Sequence, residues 1–384
     1  MRIGIDARFY GPGTGTGLGR YVERLLNELD RIETDHTFVV FLRAENFEDF
    51  RPTREGRFEK IKAPWRWYSL GEQLGMPRLL AKSRLDLMHF PHFNVPLLTR
   101  GRFVVTVHDL ILNKFPTERA STLEPMLYWA KHAAYMRVIR SAIRRSRHVL
   151  AVSENTSRDI QSTYGLSADR ISVTYEGCDP PGDRGTAGID LAEHFGITGP
   201  FAMYVGTSYP HKNLERLIDA AVRLRQRGER FQVVLVGRND FFSKRLQEYV
   251  RQRLPAADRG AIIFTGYVDD RVLNALYAAA TLYVFPSLYE GFGLPGLEAM
   301  ARGVPVAAAR ASCLPEIFGS AAAYFDPDST DDLAAVVKRL MDSQAEREQL
   351  QTRGYEQVGR YSWKRMAQQT LDVYNRCLED RPAK

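Results

Sequence analysis

Two carboxylates, Glu290 and Glu298, stand at the ends of the segment Glu290-Gly291-Phe292-Gly293-Leu294-Pro295-Gly296-Leu297-Glu298. The run before it, Leu282-Tyr283-Val284-Phe285, reads as a buried strand, and Pro286-Ser287 as its break. Strand, glycine-rich turn, helix is the order in which α/β proteins aim backbone N–H groups at a phosphate. The first carboxylate then lies at the C-terminal mouth of the strand, and the second about one turn inside the helix. Such a pair can bracket a nucleotide-sugar, one end gripping the sugar and the other the ribose.

A second segment has the same grammar. Val205-Gly206-Thr207-Ser208-Tyr209-Pro210-His211-Lys212-Asn213 ends one apolar run and precedes a helix predicted over 213–227. A lysine beside a helix N-terminus can neutralise a diphosphate; a solvated loop lysine is the alternative. In Val105-Thr106-Val107-His108-Asp109-Leu110 a histidine follows a strand, at the edge where α/β sheets bind ligands. His108 is read as a ligand-facing residue with a structural role as the alternative, and Asp109 equally as a turn cap. His89 and His92 flank Phe90-Pro91, and the proline breaks the helix that their spacing would need to hold a metal, so they read as cleft lining at best.

Other motifs carry less. The loop Gly11 to Tyr21 holds five glycines but is not a strict G-x-G-x-x-G, because Leu18 and Arg20 stand where the third glycine would fall. It reads as a phosphate-proximal or mobile lid loop. Asp326-Pro327-Asp328 has the D-x-D form that some sugar transferases use for a metal, but it precedes a helix and reads as a turn and cap. With no H-E-x-x-H and no Cys/His cluster at metal spacing, no metal ligand is assigned.

The elements that must position these residues alternate. Strands are predicted at 2–6, 38–42, 85–90, 103–108 and 148–152, with helices over 18–30 and 126–146. Asp179 to Gly188 is rich in Gly, Asp and Pro and reads as a linker. A second series follows, with strands at 201–205, 232–236, 261–265, 282–285 and 305–308 and helices at 213–227, 241–253, 270–279, 295–302 and 330–342. Two such series predict an α/β protein of two Rossmann-like, doubly wound parallel domains facing across a cleft. The expected division is 1–180, a linker 181–197 and 198–362, with a terminal helix within 363–384 packing back on the first domain.

At 384 residues the chain can bury two full cores. No apolar run approaches the roughly 20 residues that span a bilayer. Asp6 and Arg8 interrupt any signal-peptide core, and Cys178, Cys313 and Cys377 are too scattered for a disulfide framework, which together suggest a cytoplasmic protein. Nearly all of the +7 formal charge lies in residues 1–184. No Arg-rich tail, zinc module or RNA-binding aromatic motif accompanies it, so nucleic acid is not an expected partner. Lys131 to Arg147 has six Lys/Arg and no acid, with apolar residues at 135, 138, 139, 142 and 143. The apolar face reads as core packing and the basic face as a solvated surface, or as a dock for anionic lipid on the inner face of the cell membrane.

With these residues in place, the chain resembles, over essentially its whole length, the retaining glycosyltransferases of family 4, which have the GT-B fold. Glu-Gly-Phe-Gly-Leu-Pro-Gly-Leu-Glu-Ala-Met from Glu290 carries the likeness most specifically. Val-Gly-Thr…His-Lys-Asn at 205–213, Val-His-Asp-Leu at 107–110, Ala-Val-Ser-Glu at 151–154 and the early glycine loop support it. The resemblance implies that Glu290 contacts the donor sugar hydroxyls, Glu298 the ribose hydroxyls, and the N–H groups of Phe292, Gly293 and Leu294 the sugar and diphosphate. It implies that Lys212 stabilises the departing diphosphate, beside Gly206 and Thr207, and that His108 lies by the reacting face of the sugar. Gly17 would let its loop approach the diphosphate. Many family members have an arginine where Thr207 stands and a basic residue where His211 stands, which puts more of the load on Lys212.

The implied activity is metal-independent hexosyl transfer with retention, best read as mannose from GDP-mannose passed to a glycan or lipid-linked acceptor in bacterial polysaccharide or glycolipid synthesis. The nucleotide-sugar is substrate, and no cofactor is expected. A nucleotide-sugar epimerase or phosphorylase of similar fold, and a non-catalytic sugar-nucleotide-binding protein, are the alternatives.

Overall fold

The structure, a computed structural model, describes residues 1–11, 17–179 and 189–379. Part of the glycine loop (12–16), part of the expected linker (180–188) and the C-terminal 380–384 lie outside the described residues. The chain divides into two compact units. The first comprises Met1–Lys114, Glu124–Gly177 and Ser362–Lys384; the second comprises Phe115–Leu123 and Cys178–Tyr361.

The first unit is built on seven strands: β1 (Arg2–Asp6), β2 (Thr37–Leu42), β3 (Phe58–Lys62), β4 (Leu87–Phe90), β5 (Phe103–Val107), β6 (His148–Ala151) and β7 (Ile171–Val173). All neighbouring pairs are parallel, in the order β3-β2-β1-β4-β5-β6-β7. β4, β5 and β6 are buried along their whole length. A strand covered on both faces needs a continuous apolar run rather than an alternating one, and Phe103-Val104-Val105-Thr106-Val107 supplies it.

Among the elements of this unit that sequence patterning misses, three are hidden for identifiable physical reasons. β3 mixes Glu59, Lys60 and Lys62 with two apolar residues, as an edge strand can. β7 has only three residues. The helix Leu70–Lys82 contains Pro77 and two glycines, which hide its period. The glycines have a packing cause: a Cβ on Gly75 would stand 2.1 Å from Cε2 of Trp65, whose indole lies against the helix.

The last helix, Trp363–Glu379, packs into this first unit through a buried polar chain. Tyr374 Oη lies 2.6 Å from His89 Nδ1, and His89 Nε2 lies 2.8 Å from Thr106 Oγ1. Thr106 Oγ1 in turn is 3.2 Å from Tyr21 Oη, on the helix Gly17–Arg31. His89 is fully buried and serves as core glue on β4, which corrects its reading as cleft lining.

The second unit has six parallel strands: β8 (Phe201–Val205), β9 (Gln232–Val236), β10 (Ile262–Gly266), β11 (Leu282–Phe285), β12 (Val306–Ala309) and β13 (Ala322–Phe325). Their order is β10-β9-β8-β11-β12-β13. The helices Phe241–Arg253, Asp270–Ala279 and Thr330–Asp342 have the ends predicted for them, because Asp240, Asp269 and Ser329 accept hydrogen bonds from their first turns. A short helix, Leu191–Phe195, occupies part of the segment expected to be linker, capped by Asp190.

Burial, with a further contribution from the charge of His108, pushes the pKa of His89 down to about 3, so the folded protein holds it neutral. The unfolded chain takes up that proton near pH 6.5, so stability falls as pH drops from about 6.5 towards 3, by up to about 1.4 kcal/mol per pH unit for this one group. Denaturant midpoints taken between pH 7 and pH 5 should therefore decline, and His89→Gln should flatten that slope by about one proton. An unchanged slope in the variant would show that His89 is not the group responsible.

Candidate functional site

Strand order in the second unit reverses between β8 and β11: β9 and β10 extend to one side, β12 and β13 to the other. Loops leaving the C-terminal ends of two such strands diverge and open a crevice. Lys212 lies in the loop after β8 and Glu290 in the loop after β11, and Lys212 Nζ stands 2.6 Å from Glu290 Oε1. Both side chains are mostly withdrawn from water, at 17% and 11% exposure.

Each arm of this pair is held from behind. Lys212 closes a 3-10 turn, Pro210–Lys212, and Asn213 follows with φ 58° at the start of the helix Leu214–Gln226. Asn213 Nδ2 donates to Pro327 O at 3.0 Å. Glu290 N donates to Ser312 Oγ at 2.9 Å, and Leu288 N to His211 O at 2.8 Å, so the two loops are tied through backbone as well as charge. Burial, and then the charge of Lys212, push the pKa of His211 down to about 4, against the opposing pull of Glu290. His211 is therefore neutral near pH 7, and Lys212 is the charged member of that turn.

Gly206 and Thr207 lead out of β8. Gly206 has φ 152°, and a Cβ there would stand 2.6 Å from Tyr204 Oη, which donates to Thr207 O at 2.9 Å. On the other loop, Gly293 (φ 99°) starts the helix Leu294–Ala301 with no capping side chain. A Cβ on Gly293 would meet Leu314 Cδ2 at 3.1 Å and Phe318 Cζ at 3.2 Å. Phe292 is buried edge-on against Tyr361, with ring centroids 5.4 Å apart, and Glu298 is half-buried one turn into the helix. Beside these loops, at the ends of β8, β9 and β10, a shallow concavity is lined by Gly206, Ser208, Gly237, Arg238 and Asn239, among others. Asp326 Oδ1 accepts from Asp328 N at 2.9 Å, so the D-x-D segment forms a turn.

In the first unit His108 stands just beyond the end of β5, which stops at Val107, and is largely buried. Asp109 caps the short helix Ile111–Lys114 by accepting from Ile111 N at 2.9 Å. Gly17 is exposed as the first residue of its helix, and a Cβ on it would meet nothing within 4 Å, so no packing reason for glycine arises there.

Two features of this unit carry no sequence signal. One is Glu176, whose Oε1 lies 3.1 Å from His108 Nδ1. The other is a buried ionic cluster at the end of β1. Arg8 grips Asp6 through Nε (2.8 Å) and Nη2 (2.6 Å) and reaches Glu72 at 2.6 Å, while Asn94 donates to both oxygens of Glu72. Its members come from three separated stretches of chain, and only Asp6 and Arg8 are near one another in sequence. On the helix Pro125–Arg145, Met126, Leu127 and Trp129 are exposed, as are Lys131, Arg137, Arg140 and Arg144. No described helix is long and apolar enough to cross a membrane.

Comparison with known proteins adds independent findings. The sequence family described as Glycosyl transferases group 1 matches residues 193–357, and that described as Glycosyltransferase Family 4 matches residues 15–180. The chain is 29% identical to O-antigen chain mannosyltransferase B of Escherichia coli, over 94% of this chain and 96% of that protein. It is 25% identical to O-antigen chain mannosyltransferase RfbU of Salmonella typhimurium, over 85% of this chain and 88% of that one. Among solved structures, sucrose-phosphate synthase from Thermosynechococcus elongatus superimposes with a TM-score of 0.73 at 19% identity, covering 99% of this chain and 100% of that one.

The backbone at Gly293 generates a test of its own. Gly293→Ala must adopt a left-handed conformation and press a methyl group on Leu314 and Phe318. It should lose about 1–3 kcal/mol of stability by denaturant unfolding. A variant as stable as the parent would mean that this turn can relax.

Proposed function

The chain belongs to family 4 of the glycosyltransferases and has the GT-B fold, and on that premise we propose that it transfers a hexosyl group, with retention and without a metal, from a nucleoside diphosphate sugar to a glycan or lipid-linked acceptor in polysaccharide or glycolipid synthesis. Mannose is the sugar that the relatives' names favour, and GDP-mannose is the donor of this proposal. The observation that carries the reading is the Lys212–Glu290 pair at the point where strand order reverses, beside two helix N-termini.

The chemistry follows from charge. The bond between the anomeric carbon and the phosphate oxygen breaks, leaving an oxocarbenium-like centre and a strongly anionic diphosphate. Lys212 and the backbone N–H groups at 292–294 supply fixed positive potential where that charge develops, which counts for most in a site withdrawn from water. Glu290 accepts hydrogen bonds from sugar hydroxyls, and Glu298 from the ribose. The acceptor oxygen forms its bond to the anomeric carbon on the face the phosphate leaves, and its proton passes to the leaving phosphate oxygen. On this reading the rest of the nucleotide lies along the concavity at the ends of β8, β9 and β10. Hydrolysis by a carboxylate pair is disfavoured because Glu290 and Glu298 belong to one loop–helix unit rather than flanking a bond.

A screen of sugar nucleotides for released nucleoside diphosphate, with and without a mannose-terminated oligosaccharide, tests the assignment. Turnover should require acceptor; conversion of the donor alone would favour an epimerase, and binding without release a non-catalytic protein. Lys212→Ala should lower kcat by about 100-fold or more per folded molecule. Retention of near-parental turnover would remove Lys212 from the diphosphate.

A lipid-linked acceptor fits a chain that docks peripherally on the inner face of the cell membrane through the helix Pro125–Arg145. Its exposed Met126, Leu127 and Trp129 suit the interface, and its lysine and arginines suit anionic headgroups. The protein should float with phosphatidylglycerol-containing vesicles, less so in high salt, and not with purely phosphatidylcholine vesicles. Equal behaviour with both lipids would eliminate the charge-driven dock.

A further inference from the structure

His108 has both ring nitrogens committed to oxygens that can only accept. Nδ1 lies 3.1 Å from Glu176 Oε1, and Nε2 lies 2.9 Å from the carbonyl oxygen of Pro91. A neutral imidazole has one N–H and one bare nitrogen, so against an ionised carboxylate and a carbonyl only the doubly protonated ring satisfies both contacts. The ring cannot turn away from this arrangement freely. Tyr21 packs edge-on against it, with centroids 4.7 Å apart and an interplanar angle of 89°. The main-chain carbonyl of His108 accepts a hydrogen bond from Thr156 Oγ1 at 3.3 Å.

Glu176 is equally fixed. It is buried, and it follows β7 in a segment anchored by Thr174 N donating to Ala151 O at 2.9 Å. The next residue, Gly177, lies so close to the start of the terminal helix that a Cβ on it would stand 2.2 Å from Trp363 N. The carboxylate thus reaches His108 from a stretch of chain that has little room to retreat.

The surrounding ionisable groups agree with a positive ring. Asp109, next in the chain, favours it. His89 from β4 and His92 from the following loop are neutral, their pKa values pushed to about 3 by burial and by the charge of His108. Burial raises the Tyr21 phenol, so it too stays neutral. For His108 itself burial works against the charge, but the hydrogen bond and charge of Glu176, with the Pro91 carbonyl, leave its pKa raised.

We infer that Glu176 is a positioning residue for glycosyl transfer, holding His108 as a fixed imidazolium so that this residue contributes a stationary positive charge and not a base. The inference rests on the proposed glycosyl transfer and on the expectation, drawn from the family resemblance, that His108 lies by the reacting sugar. It has a chemical consequence: a ring already carrying both protons cannot take one from the acceptor hydroxyl, so that proton must go elsewhere, as it does when the leaving phosphate receives it.

The test is a titration of the full-length protein labelled with 15N-histidine, followed by NMR, beside the pH dependence of kcat/KM. In the parent, His108 should show two protonated nitrogens at pH 7. Glu176→Gln should lower the pH at which the ring loses a proton by about one unit or more, a tenfold change in the proton affinity. The alkaline limb of kcat/KM should move down with it, and Glu176→Asp should restore part of the shift. Thermal unfolding at pH 6 identifies a variant that fails to fold; the parent's ring state and Glu176→Asp then decide. A singly protonated His108 at pH 7 in the parent, or a titration that ignores Glu176, overturns the pairing. A titration that moves while the rate profile stays put overturns the positioning role by removing His108 from the reaction. Absence of turnover with every sugar nucleotide would instead sink the glycosyl-transfer reading, with the NMR arm still deciding the pair.

Discussion

A lysine and a glutamate 78 residues apart in sequence meet at 2.6 Å where the second sheet reverses its strand order. Removing either charge from water is costly, and each is tolerated there because the other is present. The pair therefore does two things. It pins the loop after β8 to the loop after β11, and it keeps a cation stationed in a partly dry crevice before any substrate arrives. On the proposed reading, an incoming diphosphate gives Lys212 a second anionic partner and frees Glu290 towards hydroxyl groups. The cation need not be recruited or reoriented at the moment of bond breaking, which is the condition under which electrostatic stabilisation is most effective.

The two units use buried charge differently. In the first, the Arg8 guanidinium is clasped by Asp6 and Glu72, and Asn94 and the Tyr68 N–H complete the coordination of Glu72. Such a saturated cluster fixes the loops after β1 and β4 and leaves the site chemistry of that unit to residues nearer β5. In the second, backbone conformation takes over. Gly206 adopts positive φ at the origin of one loop and Gly293 at the end of the other, and Gly237 packs so closely that a Cβ would stand 2.1 Å from Gly206 O. Side chains are excluded there because a Cβ would meet neighbouring protein atoms or demand a strained backbone, which is the physical content of the glycine pattern in these loops.

Much of this was legible in the sequence. The strands Phe201–Val205, Gln232–Val236 and Leu282–Phe285 coincide with their predicted runs, because buried parallel strands have uninterrupted apolar sequences. Lys212 and Glu290 are each conspicuous by their place between a strand and a helix, and the sheet order then accounts for their meeting. Other features were not readable. The helix Leu70–Lys82 hides behind glycines whose partner, Trp65, lies outside it. The short strand Ala322–Phe325 has no β-branched residue to mark it. Glu176 sits in a Tyr-Glu-Gly-Cys loop with no pattern at all, and its significance comes only from a contact with a histidine 68 residues earlier. Residues marked by local spacing were legible; contacts made by long-range pairing were not.

The closeness of Gly177 to Trp363 has one more consequence. The chain leaves the first unit just after Gly177 and is back in it from Ser362, and those two points touch. Apart from the excursion Phe115–Leu123, the second unit is thus a guest inserted as one stretch, Cys178 to Tyr361, at a single doorway in its host. Joining the two sides of that doorway with a short loop spans almost no distance, so evolution or an engineer can exchange the guest without redrawing the host's path.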